Sequence, residues 1–243
     1  MSTEILFSGL SYSVRDRKFI LCNLNCTIRP SSFVALLGEN GSGKTTLLDL
    51  LMGFKAPAAG KVLVGGEEPH CDHWRQRERI AYLSEKVDVP GDWTVREFLN
   101  FNKFFYPHYS DKLERELLQE FVVDEGARLG NMSAGELKRV HVVGGLAIQP
   151  KLILVDEITA VLDIIGRRKF MRKLKELNAQ TGCTVVLATN ILEELENYAT
   201  DLLLLRKGQM IGFQPTHDFM SGRPYRFTEA IADFLETQPL VVP

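Results

Sequence analysis

The 243-residue chain has no long apolar segment and no excess of charge of either sign. No apolar run approaches the roughly 20 residues that a membrane-spanning helix requires. The 29 basic and 31 acidic side chains nearly cancel, so composition gives no electrostatic reason to expect a nucleic-acid partner. Internal repeats and low-complexity segments are also missing from the sequence. These absences argue against a membrane-spanning, nucleic-acid-binding or repeat protein.

Cysteine is scarce, with four scattered residues, Cys22, Cys26, Cys71 and Cys183. Disulfide scaffolds are denser, so we expect reduced thiols in a cytoplasmic protein. The N-terminus, MSTEILFSG, has neither a basic region nor a long apolar core, and we expect no signal peptide. Cys71 lies in the cluster HCDH at 70–73. Metal sites usually combine two spaced pairs of ligands, so a polar loop is favoured over a metal site here.

The most informative segment is GENGSGKTT at 38–46. It follows the apolar run FVALL and opens a helix-like run, which is the context of a phosphate-binding loop. Glycines let successive N–H groups point into one concavity, and the helix N-terminus adds unpaired donors. A structural glycine turn is the alternative. The predicted ATP-binding positions are Gly38, Glu39, Asn40, Gly41, Ser42, Gly43, Lys44, Thr45 and Thr46, with Lys44 on the outer phosphates and Thr45 on Mg²⁺.

The secondary-structure pattern changes twice along the chain. Strand signals dominate the first part, at 5–14, 19–28, 33–37, 62–64 and 80–83. Helical periodicity then takes over from 95 to 148, with Thr94 and Ser110 as N-caps and a third helix from Ala134. Strands return at 152–155, 184–188, 201–205 and 210–213, with helices at 164–180, 191–198 and 225–236. We therefore predict an α/β core at 1–90 and 150–215, a helical lobe at 91–149 and a C-terminal helix within 216–243.

Two acidic residues follow the apolar run LILV at 152–155. A carboxylate at the carboxyl end of a buried strand lies where ligands bind in open parallel sheets. Asp156 would hold Mg²⁺, and Glu157 would polarise the water that attacks the γ-phosphate. The alternative is a pair of helix-capping acids. The phosphate-binding loop elsewhere in the chain favours the catalytic interpretation.

A third motif, NMSAGELKR at 131–139, gives the sequence its family character. With the two motifs above, the chain resembles the nucleotide-binding ATPase subunit of ABC transporters over essentially its whole length. The motif is similar to the ABC signature, usually LSGGQ followed by a basic residue, with Ser133, Ala134, Gly135 and Glu136 at the matching positions. Physically it is a second anion site at a helix start; a serine N-cap with no ligand is the alternative.

The resemblance implies a P-loop NTPase fold of the α/β class, an ABC-type mixed sheet core with an inserted all-helical lobe. It implies ATP and Mg²⁺ as cofactors and a head-to-tail dimer in which each signature closes over the γ-phosphate held by the other subunit. That second ATPase subunit could be identical or different. The other implied partner is an integral membrane permease, so we expect a peripheral subunit at the cytoplasmic face of the cell membrane.

Some positions depart from the family pattern. Glu85 replaces the glutamine that touches Mg²⁺ but can still ligate the ion. Asn190 replaces the histidine that contacts the γ-phosphate and holds Glu157 in place. Asn190 can donate one hydrogen bond but cannot carry a proton, so ATP binding should survive while hydrolysis is slow. Tyr12 lies where the family has an aromatic ring stacked on adenine, although a core role would also explain it.

The loop that crosses the dimer interface in the family is also altered. The loop reads Ala160-Val161 before Leu162-Asp163. The family more often has Ser-Gly or Ser-Ala before Leu-Asp. Ile158 stands where a proline is usual. Asp163 keeps the family identity, and we place it in the predicted interface.

Aromatic residues are concentrated at 98–109. Most of these rings are interpreted as the core of the helical lobe, with at least one exposed to the membrane subunit. The segment is similar to ATPase subunits of small two-component exporters. The sequence therefore predicts an ATP-hydrolysing transporter subunit, with export as the expected direction. The alternative is a nucleotide-gated regulatory or assembly subunit with little or no hydrolysis.

Overall fold

The computed structural model describes residues 3–14, 20–71, 77–85, 88–158, 162–192, 195–223 and 226–237. Strands β1 (Ile5–Tyr12), β2 (Leu21–Ile28) and β4 (Ala59–Val64) form an antiparallel sheet in the order β2-β1-β4. The other strands are β3 (Phe33–Leu37), β5 (Ile80–Ser84), β6 (Leu152–Asp156), β7 (Thr184–Ala188), β8 (Asp201–Arg206) and β9 (Gln209–Pro215). They form a second sheet in the order β5-β6-β7-β3-β8-β9, parallel except for β9.

Seven α-helices lie in the described part of the chain. They are α1 (Lys44–Met52), α2 (Val95–Phe105), α3 (Asp111–Phe121), α4 (Ala134–Ala147), α5 (Ile164–Thr181), α6 (Thr216–Met220) and α7 (Phe227–Thr237). Short 3-10 turns lie at Leu129–Asn131 and Leu195–Asn197. None of the described helices is both long enough and apolar enough to span a bilayer.

The larger sheet is buried on both faces, which explains its uninterrupted apolar strands. In β3, Phe33 and Ala35 pack with the helices of the 95–147 segment and with α5. Val34 and Leu36 point the other way, toward α1 and the three-stranded sheet. Helix α1 and the loop before it are therefore held between the two sheets.

The segment 95–148 is described throughout, and its regular elements are helices α2, α3 and α4 with one 3-10 turn. The predicted capping box is present, because Thr94 accepts a hydrogen bond from the Glu97 amide and Glu97 accepts one from the Thr94 amide. Ser110 caps α3 as expected. The domain boundaries drawn from the sequence stay a prediction.

Three details of the secondary-structure prediction are wrong. The expected helix at 191–198 is reduced, within the described residues, to the turn Leu195–Asn197. The strand expected at 62–64 begins at Ala59, because pairing with β1 extends β4 toward its N-terminus. Helix α6 is too short to show a helical period and was not predicted.

One half-buried histidine connects α4 to the sheet. His141 Nε2 lies 3.1 Å from the Tyr82 carbonyl oxygen on β5. Burial lowers the pKa of His141 to about 4, so the ring is neutral near neutral pH and donates its Nε2 proton to that carbonyl. The contact fixes the helix that begins at the signature motif against the strand that precedes Glu85.

Candidate functional site

The carboxyl ends of three neighbouring strands meet at one edge of the larger sheet. Strands β6, β7 and β3 are parallel and adjacent, so the segments that follow them converge. The glycine loop follows β3, Asp156 ends β6 with Glu157 next, and Asn190 follows β7. The topology thus brings together side chains that are far apart in sequence.

The glycine loop leaves the start of α1 open. Gly43 is the N-cap of α1, with φ 107° and no side-chain cap, and a Cβ there would lie 2.6 Å from Leu21 Cδ2. At Gly38 a Cβ would lie 2.2 Å from the Leu205 carbonyl oxygen. The buried hydroxyl of Ser42 has no hydrogen-bond partner among the described residues. Uncapped amides and an unsatisfied hydroxyl at a helix start are what a bound phosphate needs.

Lys44 is 5 % exposed, and its ammonium group is the centre of the site. Nζ donates to the Gly38 carbonyl at 2.8 Å, to the Glu39 carbonyl at 3.3 Å and to Asn190 Oδ1 at 3.3 Å. It also lies 3.5 Å from Glu157 Oε1. Oxygen acceptors therefore surround the buried Nζ atom and satisfy its hydrogen-bond donors.

Thr45 and Asp156 form a pair of hard oxygen ligands. Thr45 Oγ1 donates to Asp156 Oδ1 at 3.2 Å, and the Tyr82 hydroxyl lies 3.3 Å from Asp156 Oδ2. Burial raises the pKa of Asp156, and the hydrogen bonds from Thr45 and Tyr82 oppose that shift. Hydroxyl and carboxylate oxygens suit Mg²⁺, so the residues fit the metal expected here.

Tyr82 was missed by the sequence reasoning. Its hydroxyl also lies 3.4 Å from Asp49 Oδ1 on α1, so one phenol faces two carboxylates. Burial and these two carboxylates raise the pKa of Tyr82, which keeps the phenol protonated and able to donate. The pattern of apolar and polar residues in β5 gave no sign of this role. In so short a strand the pattern does not show which side chains face the nucleotide site.

Glu85 is exposed, and its backbone amide, rather than its carboxylate, reaches the acidic pair, donating to the Asp156 carbonyl at 3.1 Å. Burial lowers the pKa of Lys138, and the negative charge of Glu85 opposes part of that shift. Among the described contacts we find none between the Glu85 carboxylate and Thr45 or Asp156. A role for Glu85 as a Mg²⁺ ligand therefore stays a prediction.

Glu157 and Asn190 lie together, as predicted. Asn190 Nδ2 donates to Glu157 Oε1 at 3.2 Å and to Asn40 Oδ1 at 3.0 Å. Glu157 has φ 54°, an unusual conformation for a residue with a side chain, and its amide donates to the Ala188 carbonyl at 3.0 Å. Backbone strain of this kind is characteristic of functional positions.

The signature motif is on the surface and is bonded to itself. Ser133 is the N-cap of α4, and its hydroxyl accepts from the Glu136 amide at 3.3 Å. The Ser133 amide and hydroxyl donate to Glu136 Oε2 at 2.8 and 2.7 Å. These hydrogen bonds lower the pKa of Glu136. Ser133, Ala134 and Glu136 are exposed, with Gly135 half-buried.

Tyr12 and Asp163 occupy defined positions at the edges of the site. The Tyr12 ring is half-buried against the core and has Lys55 Nζ 5.6 Å from its centre. Asp163 caps α5 by accepting from the Gly166 amide at 2.6 Å. Ala160 lies outside the described residues, and Ile158 is fully buried. Nothing in these contacts assigns adenine stacking to Tyr12.

The aromatic segment divides evenly between core and surface. Phe98, Tyr106 and Tyr109 pack against the core. Phe101, Phe104 and Phe105, hereafter the aromatic surface, are 48, 83 and 45 % exposed and stack edge to face. The expectation that most rings are core is therefore wrong for these three. At least one ring is exposed, as expected, and contact with the membrane subunit stays a prediction.

Comparisons with known proteins show what the whole chain is similar to. Residues 21–160 match the family model described as ABC transporter. The chain is 32 % identical over 237 residues to the energy-coupling factor transporter ATP-binding protein EcfA2 of Streptococcus pyogenes serotype M3, covering 92 % of this chain and 80 % of that one.

Two solved structures share the fold. One is an ATP-binding subunit of an ABC transporter, with a TM-score of 0.87 and 23 % identity over 96 % of this chain and 99 % of that chain. The other is a dimeric ATP-binding cassette in a post-hydrolysis state with ADP and Pi, with a TM-score of 0.76 and 24 % identity over 87 % and 98 % of the two chains.

Proposed function

Because this chain belongs to the ABC transporter family, we propose that it is the subunit that binds and hydrolyses ATP to drive a separate membrane permease. It is an ATPase that uses ATP with Mg²⁺, acts as a dimer and works at the cytoplasmic face of the membrane. The observation that carries the proposal is the meeting of Lys44, Glu157 and Asn190 beside the Thr45–Asp156 pair.

Phosphate binding rests on the glycine loop. The uncapped amides at the start of α1 and the Lys44 ammonium group would bind the β- and γ-phosphates. Thr45 and Asp156 would hold Mg²⁺, which when bound neutralises charge on these phosphates. Lys44 now donates to loop carbonyls, so binding exchanges these acceptors for phosphate oxygens.

Hydrolysis rests on Glu157. Its carboxylate would orient and polarise the attacking water, and Asn190 holds that carboxylate through its amide. The ion pair between Lys44 and Glu157 must separate when a γ-phosphate enters between them. Asn190 can offer the γ-phosphate only a neutral hydrogen bond. A cationic side chain would stabilise the negative charge of the transition state more strongly, so we infer slow turnover.

Dimer formation completes the site in this proposal. Ser133 and Gly135 would bind the γ-phosphate held by the partner's glycine loop, with Ala134 and Glu136 beside them. Asp163 would lie at the subunit interface, and the two isoleucines after it, Ile164 and Ile165, are 67 and 68 % exposed. Large apolar side chains this exposed support burial against a second subunit.

The aromatic surface is the proposed contact with the membrane subunit. Its three exposed rings on α2 suit a short amphipathic helix docked in a groove. Export is our proposed direction, supported by the likeness of 98–109 to small exporters. ATP-driven uptake of the transported compound into inside-out vesicles would bear this out, and uptake only into right-side-out vesicles would contradict it.

The second candidate function is a nucleotide-gated subunit with little turnover. Asn190 and the carboxylate of Glu136 beside the incoming phosphate favour it, because neither supplies positive charge to the transition state. Intact Glu157 argues against it. The two candidates differ in whether ATP is consumed.

Phosphate release with Mg-ATP and light scattering, on the purified chain and Glu157→Gln, test the proposal together. We expect slow release in the unmodified chain, a loss of about 10²- to 10⁴-fold in Glu157→Gln, and an ATP-stabilised dimer that persists in that variant. Glu229→Gln, an exposed acid on α7, is the matched control and should change neither readout. An ATP-dependent dimer without any phosphate release would identify the gated subunit instead.

A further inference from the structure

Three side chains of the loop after β4 converge on one point away from the nucleotide site. We propose that Glu68, His70 and Cys71 bind a divalent transition metal ion of the zinc class. Glu68 Oε2 lies 3.5 Å from His70 Nε2 and 3.5 Å from Cys71 Sγ. The potential ligand atoms of all three residues lie within 4.8 Å of one another.

The spacing of these atoms matches the edges of a coordination tetrahedron. Zinc bonds to oxygen, nitrogen and sulfur of about 2.0–2.3 Å place neighbouring ligand atoms roughly 3.3–3.7 Å apart. Both distances from Glu68 Oε2 fall in that interval. The third edge, between His70 and Cys71, is no longer than 4.8 Å.

The two nitrogens of the His70 ring are in different environments. Its Nδ1 atom is buried and makes no hydrogen bond among the described residues. Among the described residues its Nε2 atom contacts the Glu68 carboxylate at 3.5 Å, which is at the limit of hydrogen-bond length. A metal ion bonded to Nε2 would give that nitrogen a stronger partner than this long contact, and the unsatisfied Nδ1 atom, on the other side of the ring, would take no part in the site.

The chemistry of the donor set selects the metal. Thiolate and imidazole favour zinc and similar ions over Mg²⁺, which prefers oxygen ligands only. Metal binding would release the Cys71 thiol proton, so affinity should fall as the pH is lowered. The site is therefore chemically separate from the Mg²⁺ ligands Thr45 and Asp156.

The loop is held in place before any metal arrives. Arg77 donates to the Pro69 carbonyl at 3.2 Å and to the Gly53 carbonyl at 3.3 Å, which ties the loop to the C-terminal end of α1. Gly53 allows this approach, since a Cβ there would lie 2.1 Å from the Pro69 carbonyl oxygen. Ligands on an anchored loop lose less entropy on binding.

The sequence had favoured a polar loop here because it showed no second ligand pair. Glu68, which was not counted, supplies the extra ligand by folding back toward His70 and Cys71. Asp72 and His73 lie outside the described residues, so the fourth corner of the tetrahedron is left unassigned.

The test uses the untagged, nucleotide-free chain, titrated with Zn²⁺ by calorimetry against a competing chelator and with Co²⁺ by absorption spectroscopy. We expect one ion per chain, a thiolate-to-cobalt charge-transfer band, and a higher thermal midpoint with Zn²⁺. Cys71→Ser should abolish the band, and His70→Gln should weaken Zn²⁺ binding by more than about 100-fold, since outer-shell changes alone cost about 10- to 100-fold.

Cys22→Ser and His217→Gln are the matched controls and should retain the band, the affinity and the thermal shift. Unmodified Zn²⁺ affinity in Cys71→Ser and His70→Gln, or a cobalt spectrum without a thiolate band in the native chain, would overturn the proposal. ATP hydrolysis plays no part in these readouts, so the metal site and the transporter function can fail independently.

Discussion

Two helix N-termini of this chain are predicted to bind phosphate, and their local structures differ. Helix α1 begins after Gly43 with no side-chain cap, beside a buried lysine and an unsatisfied buried serine hydroxyl. Helix α4 begins after Ser133 with a complete capping box, exposed to solvent. The first has open donors and fixed positive charge, whereas the second has its donors occupied by a carboxylate.

The difference suggests that the two helix starts bind the same ATP at different stages. A buried, uncapped helix start is costly without a ligand, so the α1 loop is arranged for phosphate within a single chain. The α4 start is stable by itself and needs a strong external anion to replace Glu136. We infer that ATP binds first to the glycine loop and that the signature engages afterwards, in the dimer.

Lys44→Ala gives the largest expected effect, because it removes the fixed positive charge that distinguishes the α1 loop from the signature. ATP affinity should fall by about 100-fold or more, measured with a fluorescent ATP analogue. Lys103→Ala, a surface lysine paired with Asp111 in the lobe, is the control and should bind normally. Near-native affinity in Lys44→Ala would mean that the loop amides suffice.

Asn190→His should raise hydrolysis by about 10- to 100-fold. The imidazole would replace a neutral amide beside Glu157 with a group that can carry a proton. Steady-state phosphate release is the measurement, and Asn100→His on the exposed face of α2 is the control. If turnover does not rise, Asn190 is not what limits it.

Mixing two inactive variants tests whether the two helix starts act in different chains. Lys44→Ala and Ser133→Arg are each expected to be inactive alone. Equal amounts together should regain about a quarter of native turnover, because half of the dimers would contain one intact composite site of two. Light scattering and crosslinking would show whether mixed dimers form. If they form and turnover does not recover, both motifs act in one site of one chain.

Glu136→Gln should produce the smallest change, a few-fold tighter ATP-dependent dimer, by removing a negative charge beside the partner's γ-phosphate. Since the Ser133 hydrogen bonds lower the pKa of Glu136, its charge is present above that pKa and lost as the pH falls through it. The gain should therefore be constant between about pH 6 and pH 8. Glu116→Gln, elsewhere in the lobe, is the control; an equal gain there would indicate a nonspecific charge effect.

The sequence predicted those features that depend on local chemistry. The glycine loop, the caps at Thr94, Ser110 and Ser133, and the buried strands are local patterns, and the structure has them at the expected positions. The nearness of Asn190 to Glu157 followed from the family resemblance, in which the residue at this position holds the catalytic carboxylate in place.

The remaining features depend on packing between distant segments. The role of Tyr82 required knowing that β5 faces both Asp49 and Asp156. The exposure of Phe101, Phe104 and Phe105 required knowing where α2 meets the sheet, since six aromatic residues within one short segment look alike to a hydropathy pattern. The meeting of Glu68 with His70 and Cys71 depended on loop conformation, which no periodicity encodes.

Tyr82 is one of the residues that connect the two helices predicted to bind phosphate. Its hydroxyl contacts Asp156 and Asp49, on the side of α1, while its carbonyl accepts from His141 on α4. A displacement of α4 relative to the sheet therefore loads the same residue that steadies the proposed magnesium ligand. The Tyr82 side chain and its own backbone thus place α4 and the proposed magnesium ligand within the width of one strand of each other.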